Sequence, residues 1–265
     1  MSKKGCLFHI DANGVATLTL NRPERHNALN AEMIERLHMV MQRAEGHDVR
    51  VLVIVAEGKS FCAGADIQWM KESAEYAADQ NLAEARKLAD LLLKLNSLPK
   101  PVVAQVQGDA YGGGIGLLAC CDIVLAADKA SFCFSEVKLG LIPAVIAPYV
   151  VNAIGPRATR RYFLSAESFS AQEALHLGLV HEVVPRTDLR SRVDQLTDQL
   201  RVGGPNAQAA AKQLIEKVAA TVPSEALAAE TAQMIALIRA SAEGVEGLSA
   251  FLEKRLPGWR GRSDV

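Results

Sequence analysis

Apolar and polar positions change period along this chain, and each change marks an element. Residues 6–10 and 15–20 are short and rich in β-formers. The turn Asp11-Ala12-Asn13-Gly14 between them offers a positive-φ position at Gly14, so the two segments predict a hairpin. Asn30 stands at the start of a helical period over 31–44, with Met33, Ile34, Leu37, Val40 and Met41 on one face. Residues 51–55 form a continuous apolar run short enough for a strand buried on both faces. Residues 68–96 read as one helix with a stripe of Leu88, Leu91, Leu92 and Leu95, ended by Pro99 and Pro101. A second buried strand follows at 102–106, then a glycine-rich turn, an apolar helix over 113–121, and strands at 122–127 and 131–134.

Alternation of strand, loop and helix in this first half predicts an α/β fold with parallel pairing. After about residue 143 the pattern turns almost wholly helical, punctuated by Pro156, Pro185, Pro205 and Pro223. The helices between Pro205 and Pro257 are too few to build a core alone. They are expected to pack on the preceding residues or on a neighbouring subunit. The expected organisation is a core over 1–200 and a helical region over 201–265.

Composition narrows the partners. The hydrophobic fraction of 49% over 265 residues suffices for a large core, and a net charge of −1 gives no bulk field towards nucleic acid or an anionic membrane. No apolar run approaches the ~18 residues of a membrane span, and the first ten residues lack the apolar stretch of a secretory leader. Cys6, Cys62, Cys120, Cys121 and Cys133 are odd in number and lack metal-ligand spacing, which fits buried thiols in a reducing, cytoplasmic setting. No metal or separate cofactor is expected.

Two glycine-containing turns each follow an apolar strand: Ala63-Gly64-Ala65-Asp66 and Gly108-Asp109-Ala110-Tyr111-Gly112-Gly113-Gly114. Glycine lets main chain approach a ligand closely and present its N–H groups. Two such groups on one carbonyl oxygen would stabilise a developing enolate. The second turn does not match G-x-G-x-x-G, because Leu117 holds the last position.

Six ordered blocks carry a resemblance. They are 21–29 (Asn-Arg-Pro-Glu-Arg-His-Asn-Ala-Leu), 61–66, Gly108-x-Ala110-x-Gly112-Gly113-Gly114, Ser135-Glu136-x-x-Leu139-Gly140-x-x-Pro143, a block from Ala171 to Val180, and one from Glu246 to Arg255. Over nearly the whole chain the sequence resembles the crotonase (enoyl-CoA hydratase/isomerase) superfamily. The resemblance implies a spiral of ββα units followed by a C-terminal helical trimerisation region, a homotrimer or homohexamer, and acyl-CoA thioesters as substrates, with coenzyme A part of the substrate. Carried over position by position, it implies oxyanion N–H groups at Ala65 and Gly113 and a catalytic carboxylate at Glu136. Ala63, Asp66 and Ile67 would border the adenine and pantetheine with their main chain. Arg25 and Ala28 would lie beside the coenzyme, and Phe251 and Lys254 at its nucleotide end, from the same or a neighbouring subunit.

The sequence departs from that pattern at one place. Simple hydratases of the superfamily place a glutamate two residues after the glycine triplet, where this chain has Gly116. A specialised hydratase is one reading, with Glu136 alone handling water and proton and Gly116 making room for a branched acyl group. Gly116-Leu117, Cys120-Cys121-Asp122, residues 143–146 and residues 155–162 are similar to bacterial methylglutaconyl-CoA hydratases of leucine breakdown. A substrate of that kind carries a second carboxylate, for which Lys71, Arg86 and Lys138 are candidates by location. An enoyl-CoA isomerase, which needs one base, or another crotonase-type acyl-CoA chemistry is the alternative. A non-catalytic acyl-CoA binder is a third, against which the presence of Glu136 argues. Asp109 and Asp122 read as turn and loop braces, and Trp69 and Trp259 as packing residues.

Overall fold

The computed structural model describes residues 5–219 and 221–260. The outer ends of both expected units, residues 1–4 and 261–265, lie outside the described residues. The hairpin forms as β1 (Gly5–Ile10) and β2 (Val15–Asn21), paired antiparallel from Gly5–Asn21 to Ile10–Ala16. Asn30 caps α1 (Ala31–Ala44), its side chain accepting the Met33 N–H at 2.9 Å. All five residues of the predicted stripe are buried.

β3 (Val51–Ala56), β4 (Val102–Val106), β6 (Ile123–Ala127) and β9 (Glu182–Val184) join in parallel to give a sheet ordered β1-β2-β3-β4-β6-β9. The unbroken apolar run of β3 is explained by burial on both faces. Leu52 and Ile54 join the main core with α1, while Val51 and Val53 pack with Val103, Leu125, Leu189 and Val193 on the other side. Fully burying each such side chain stabilises by about 1.5–3 kcal/mol.

A second, small sheet consists of β5 (Ala110–Tyr111), β7 (Ser131–Cys133) and β8 (Phe169–Ser170). Single bridges extend its pairing from Ala110 to Cys62, and from Ala65 on to Leu29. This line of pairings carries the glycine turns. After the second turn comes α4 (Gly113–Ala119), which opens on it.

Two expectations change. The helix expected over 68–96 is broken into α2 (Ile67–Ser73) and α3 (Ala78–Asn96). The start of α2 is fixed by the Asp66 cap, whereas α3 is held by Leu91, Leu92 and Leu95 in the core, and Ala77 is extended between them. The region after 143 is not wholly helical, since β8 and β9 lie within it. β9 is three half-buried residues at the sheet edge, too short to show a period. Around them run α5 (Ala147–Ser165), kinked at Gly155-Pro156, and α6 (Ala171–Leu177).

α7 (Leu189–Val202) packs on β3, β4 and β6. α8 (Pro205–Ala219), α9 (Glu225–Ala240) and α10 (Ala242–Leu252) pack on one another, and α8 and α9 contain no buried residue. Lys212 of α8 reaches Asp122 at 2.8 Å, and Asp122 also accepts the Val102 N–H at 2.7 Å. That carboxylate braces the loop before β6, as expected of it. No helix among the described residues is long and apolar enough to cross a membrane.

Candidate active site

The first turn is held by main-chain bonds. Leu29 N–H donates to Gly64 C=O at 2.7 Å, Asp66 N–H donates to Leu29 C=O at 2.8 Å, and Ala63 N–H donates to His26 C=O at 2.9 Å. Gly64 has φ +81°, a conformation costly to any residue with a β-carbon. In a planar trans peptide the N–H points opposite to the preceding C=O. With Gly64 C=O directed at Leu29, the Ala65 N–H therefore faces away from Leu29, and Ala65 is exposed.

The second turn lies against the first. A β-carbon on Gly64 would be 3.0 Å from the Tyr111 carbonyl oxygen and 3.8 Å from the Gly113 nitrogen. Gly112 donates to Cys133 C=O at 3.1 Å, and its own C=O accepts the Gly116 N–H at 3.1 Å, into α4. The Gly113 N–H thus points out of that helix. The two sequence-predicted donors, Ala65 and Gly113, stand on neighbouring loops with neither N–H committed to the main chain.

Glu136 opens a 3₁₀ turn (Glu136–Leu139) directly after β7. Behind it Phe134 packs on Phe163 and Phe169, with ring centroids 4.8 Å and 5.9 Å away, which fixes where the turn starts. The carboxylate comes back against the glycine turn: a β-carbon on Gly112 would lie 2.6 Å from Glu136 Oε1. Its other oxygen, Oε2, is buried and accepts no hydrogen bond from the protein. Burial, opposed in part by its own backbone N–H, pushes the Glu136 carboxyl up from the ordinary glutamate value. A half-buried carboxylate with a raised pKa and an unused oxygen is suited to moving a proton.

Gly116 opens no space for an acyl branch, contrary to the expectation. Ile146, 3% exposed, occupies the position that a side chain at 116 would take, with Leu92 behind it. An apolar side chain therefore fills the volume where simple hydratases of the superfamily carry a carboxylate.

The other expected contacts divide. Arg25 and Asp66 line a cavity of about 210 Å³ together with Arg22, Asn30, Gln68 and Trp69. Ala28 is nearly buried, its carbonyl taken by Arg22 Nη1 at 2.6 Å, while Ala63 is half-buried and Ile67 is exposed. The Asp66 side chain is spent internally, Oδ1 on the Gln68 N–H at 2.9 Å and Oδ2 on Arg22 Nη2 at 2.7 Å. Burial works against that charge, but these bonds outweigh it and hold the Asp66 carboxyl below the usual range. Phe251, at the end of α10, is 80% exposed, and neither it nor Lys254 lines this cavity. Lys71, Arg86 and Lys138 are exposed and make no ion pair among the described residues. Asp109 braces a turn by accepting the Ser131 N–H at 3.1 Å.

Sequence reasoning missed Ile146, Arg22 and Asn27. Asn27 is fully buried and ties the 22–30 loop to the segment that leads into the first turn, accepting from Arg22 N–H at 2.8 Å and donating to Glu57 C=O and Ser60 C=O at 2.8 and 3.0 Å. Its place in the 21–29 block was the available signal. Among the described residues no group of three or more His, Cys, Asp or Glu side chains stands together to hold a metal.

The family model for enoyl-CoA hydratase/isomerase matches residues 11–262. The chain belongs to the enoyl-CoA hydratase/isomerase family. It is 34% identical over 250 residues to a 2,3-dehydroadipyl-CoA hydratase of Escherichia coli, covering 94% of this chain and 96% of that one. Among solved structures it is similar to an enoyl-CoA hydratase from Shewanella pealeana (42% identity, TM-score 0.94, 97% of each chain covered). A putative enoyl-CoA hydratase/isomerase from Legionella pneumophila shares 44% identity, with TM-score 0.92 over 98% of this chain and 100% of that one. The crotonase fold and an enzymatic role in this family follow, and an acyl-CoA thioester is the consistent substrate class.

Proposed function

We propose that the protein is a hydro-lyase that adds water reversibly to a branched 2-enoyl-CoA, with 3-methylglutaconyl-CoA as the substrate in leucine catabolism. The observation that carries this reading is the Glu136 carboxylate, half-buried against Gly112 beside the Gly113 N–H, with one oxygen unbonded. The thioester oxygen sits between the Ala65 and Gly113 N–H groups. Glu136 takes a proton from water as the water oxygen bonds to the β-carbon, and the C=C electrons move to give an enolate whose charge those donors stabilise. Protonation of the α-carbon by Glu136 then restores the carboxylate and completes the addition. Ala63, Asp66, Ile67, Arg25 and Ala28 hold the coenzyme, and Phe251 and Lys254 meet its nucleotide end from a neighbouring subunit.

Support for a substrate with a second carboxylate comes from the E. coli relative, whose named substrate is a dicarboxylic acyl thioester. One of Lys71, Arg86 and Lys138 meets that carboxylate, which in turn helps hold the attacking water. Isomerisation is the second reading. It is favoured by Ile146 beside Gly116, because one carboxylate in an apolar surround suffices to shuttle a proton between carbons.

The exposed apolar residues Leu237, Leu248, Phe251 and Leu252 support self-association into a trimer or hexamer through the 201–265 region. The test is turnover of the purified protein with 3-methylglutaconyl-CoA, crotonyl-CoA and a 3-enoyl-CoA, beside Glu136→Gln. Fastest hydration of the first substrate and a dead variant uphold the proposal. Reaction of the 3-enoyl-CoA alone replaces it with isomerisation.

A further inference from the structure

Arg22 lies outside the set of groups expected to touch the substrate, yet its side chain makes two short bonds at one place. Nη1 donates to Ala28 C=O at 2.6 Å and Nη2 to Asp66 Oδ2 at 2.7 Å. Those acceptors sit on the two segments that pair across Leu29 and Ala65. On one segment, Ala28 C=O belongs to the same peptide unit as the Leu29 N–H that holds Gly64 C=O. On the other, Asp66 follows Ala65 directly, and its N–H holds Leu29 C=O. The guanidinium fork therefore clamps both sides of the bridge. The Ala65 peptide unit is fixed between Gly64 C=O and Asp66 N–H, each bonded to Leu29.

Both side chains of the clamp are shielded, 17% exposed for Arg22 and 6% for Asp66. The pair is thus not a solvated surface contact of small effect. Asp66 also caps α2 through Oδ1, so its orientation is determined at both oxygens. Asn27 fixes Arg22 itself by accepting its main-chain N–H.

We propose that Arg22 is a positioning residue for the reaction, acting through Asp66 and Ala28 to aim the Ala65 N–H at the thioester oxygen. This rests on the reading of Ala65 as an oxyanion donor. The clamp requires a planar fork that serves two acceptors at fixed spacing, which lysine cannot supply. Its effect is felt where charge develops on the thioester oxygen and much less where the coenzyme binds.

The test uses Arg22→Gln, Arg22→Lys and the milder Asp66→Asn in the full-length protein. Turnover is measured on whichever enoyl-CoA the wild type processes. Expected are a fall in kcat of about 10- to 100-fold for Arg22→Gln with KM changed less than about threefold, and a similar fall for Arg22→Lys. Asp66→Asn should show a smaller fall, non-additive with Arg22→Gln.

Carbonyl polarisation is read separately in a Glu136→Gln background, which blocks turnover, from the red shift of bound 2,4-hexadienoyl-CoA. Arg22→Gln or Asp66→Asn should reduce that shift. A wild-type shift in both, or a rise in KM with kcat unchanged, overturns the positioning role, as does a loss of activity that follows only the folded fraction in thermal melts. Absence of any shift in the Glu136→Gln parent overturns the donor reading itself, and the positioning role with it.

Discussion

Ile146 Cβ lies 2.9 Å from where a β-carbon on Gly116 would be, so the two positions share one side-chain volume. Real β-carbons do not approach that closely, and neither residue can be changed without consequence for the other. Gly116→Ala gains helix propensity of about 1 kcal/mol but overpacks the wall, which costs about 1–3 kcal/mol. Ile146→Ala alone leaves a cavity costing about 2–5 kcal/mol. In the double variant the new methyl enters part of that cavity, so urea denaturation should show a coupling of about 1–2 kcal/mol in the direction of rescue. Simple additivity of the two changes would contradict the shared volume.

Glu136→Gln should lower kcat by about 10²- to 10⁴-fold. It should also raise the melting temperature at neutral pH. Burial raises the folded-state pKa of Glu136, so its contribution to stability is fully present below the unfolded value and lost as pH rises through the folded one. Glutamine carries no such loss. The advantage of the variant in thermal melts should therefore shrink as pH falls through the raised folded-state value and be gone once pH is below the ordinary glutamate value, and an advantage independent of pH would exclude this cause.

The acid limb of the kcat/KM profile should follow the same group. Glu136 must be a carboxylate to accept a proton, so activity is lost as pH falls through its pKa. The midpoint should lie above the ordinary glutamate value of 4.5. A kcat/KM that stays flat down to that value would show that Glu136 is not the group whose ionisation limits the reaction.

Gly112→Ala tests the contact between turn and carboxylate. The residue has φ +43°, and its new methyl would meet Glu136 Oε1 at 2.6 Å. Stability should fall by about 1–2 kcal/mol from backbone strain. Activity should fall by at least about tenfold, because the carboxylate must move. Retention of full turnover would show that Glu136 is not held where it acts.

Much of this was legible in the sequence because the signals are local. The hairpin, α1, β3 and β4 declare themselves by period, cap and turn residues, and the two glycine turns by composition. The break between α2 and α3 was hidden because residues 74–77 contain neither glycine nor proline, and tertiary contacts alone set the two helix directions. β9 was hidden because three half-buried residues carry no alternation. Ile146 could not be read as filling position 116, since that relation links residues 30 apart in sequence that meet only when α5 packs on α4. Arg22 looked like any loop arginine until the bridge between Leu29 and Ala65 gave its two bonds a meaning.

The proposed donors at Ala65 and Gly113 belong to the main chain, and this has a genetic consequence. A scan that replaces each side chain with alanine deletes neither, and most codon changes at residue 65 keep the N–H. Proline removes the hydrogen altogether, and alanine codons reach proline by a single base. Selection can therefore exchange the carboxylates around these turns, and with them the reaction performed, while the electrophilic half of the site passes through unaltered.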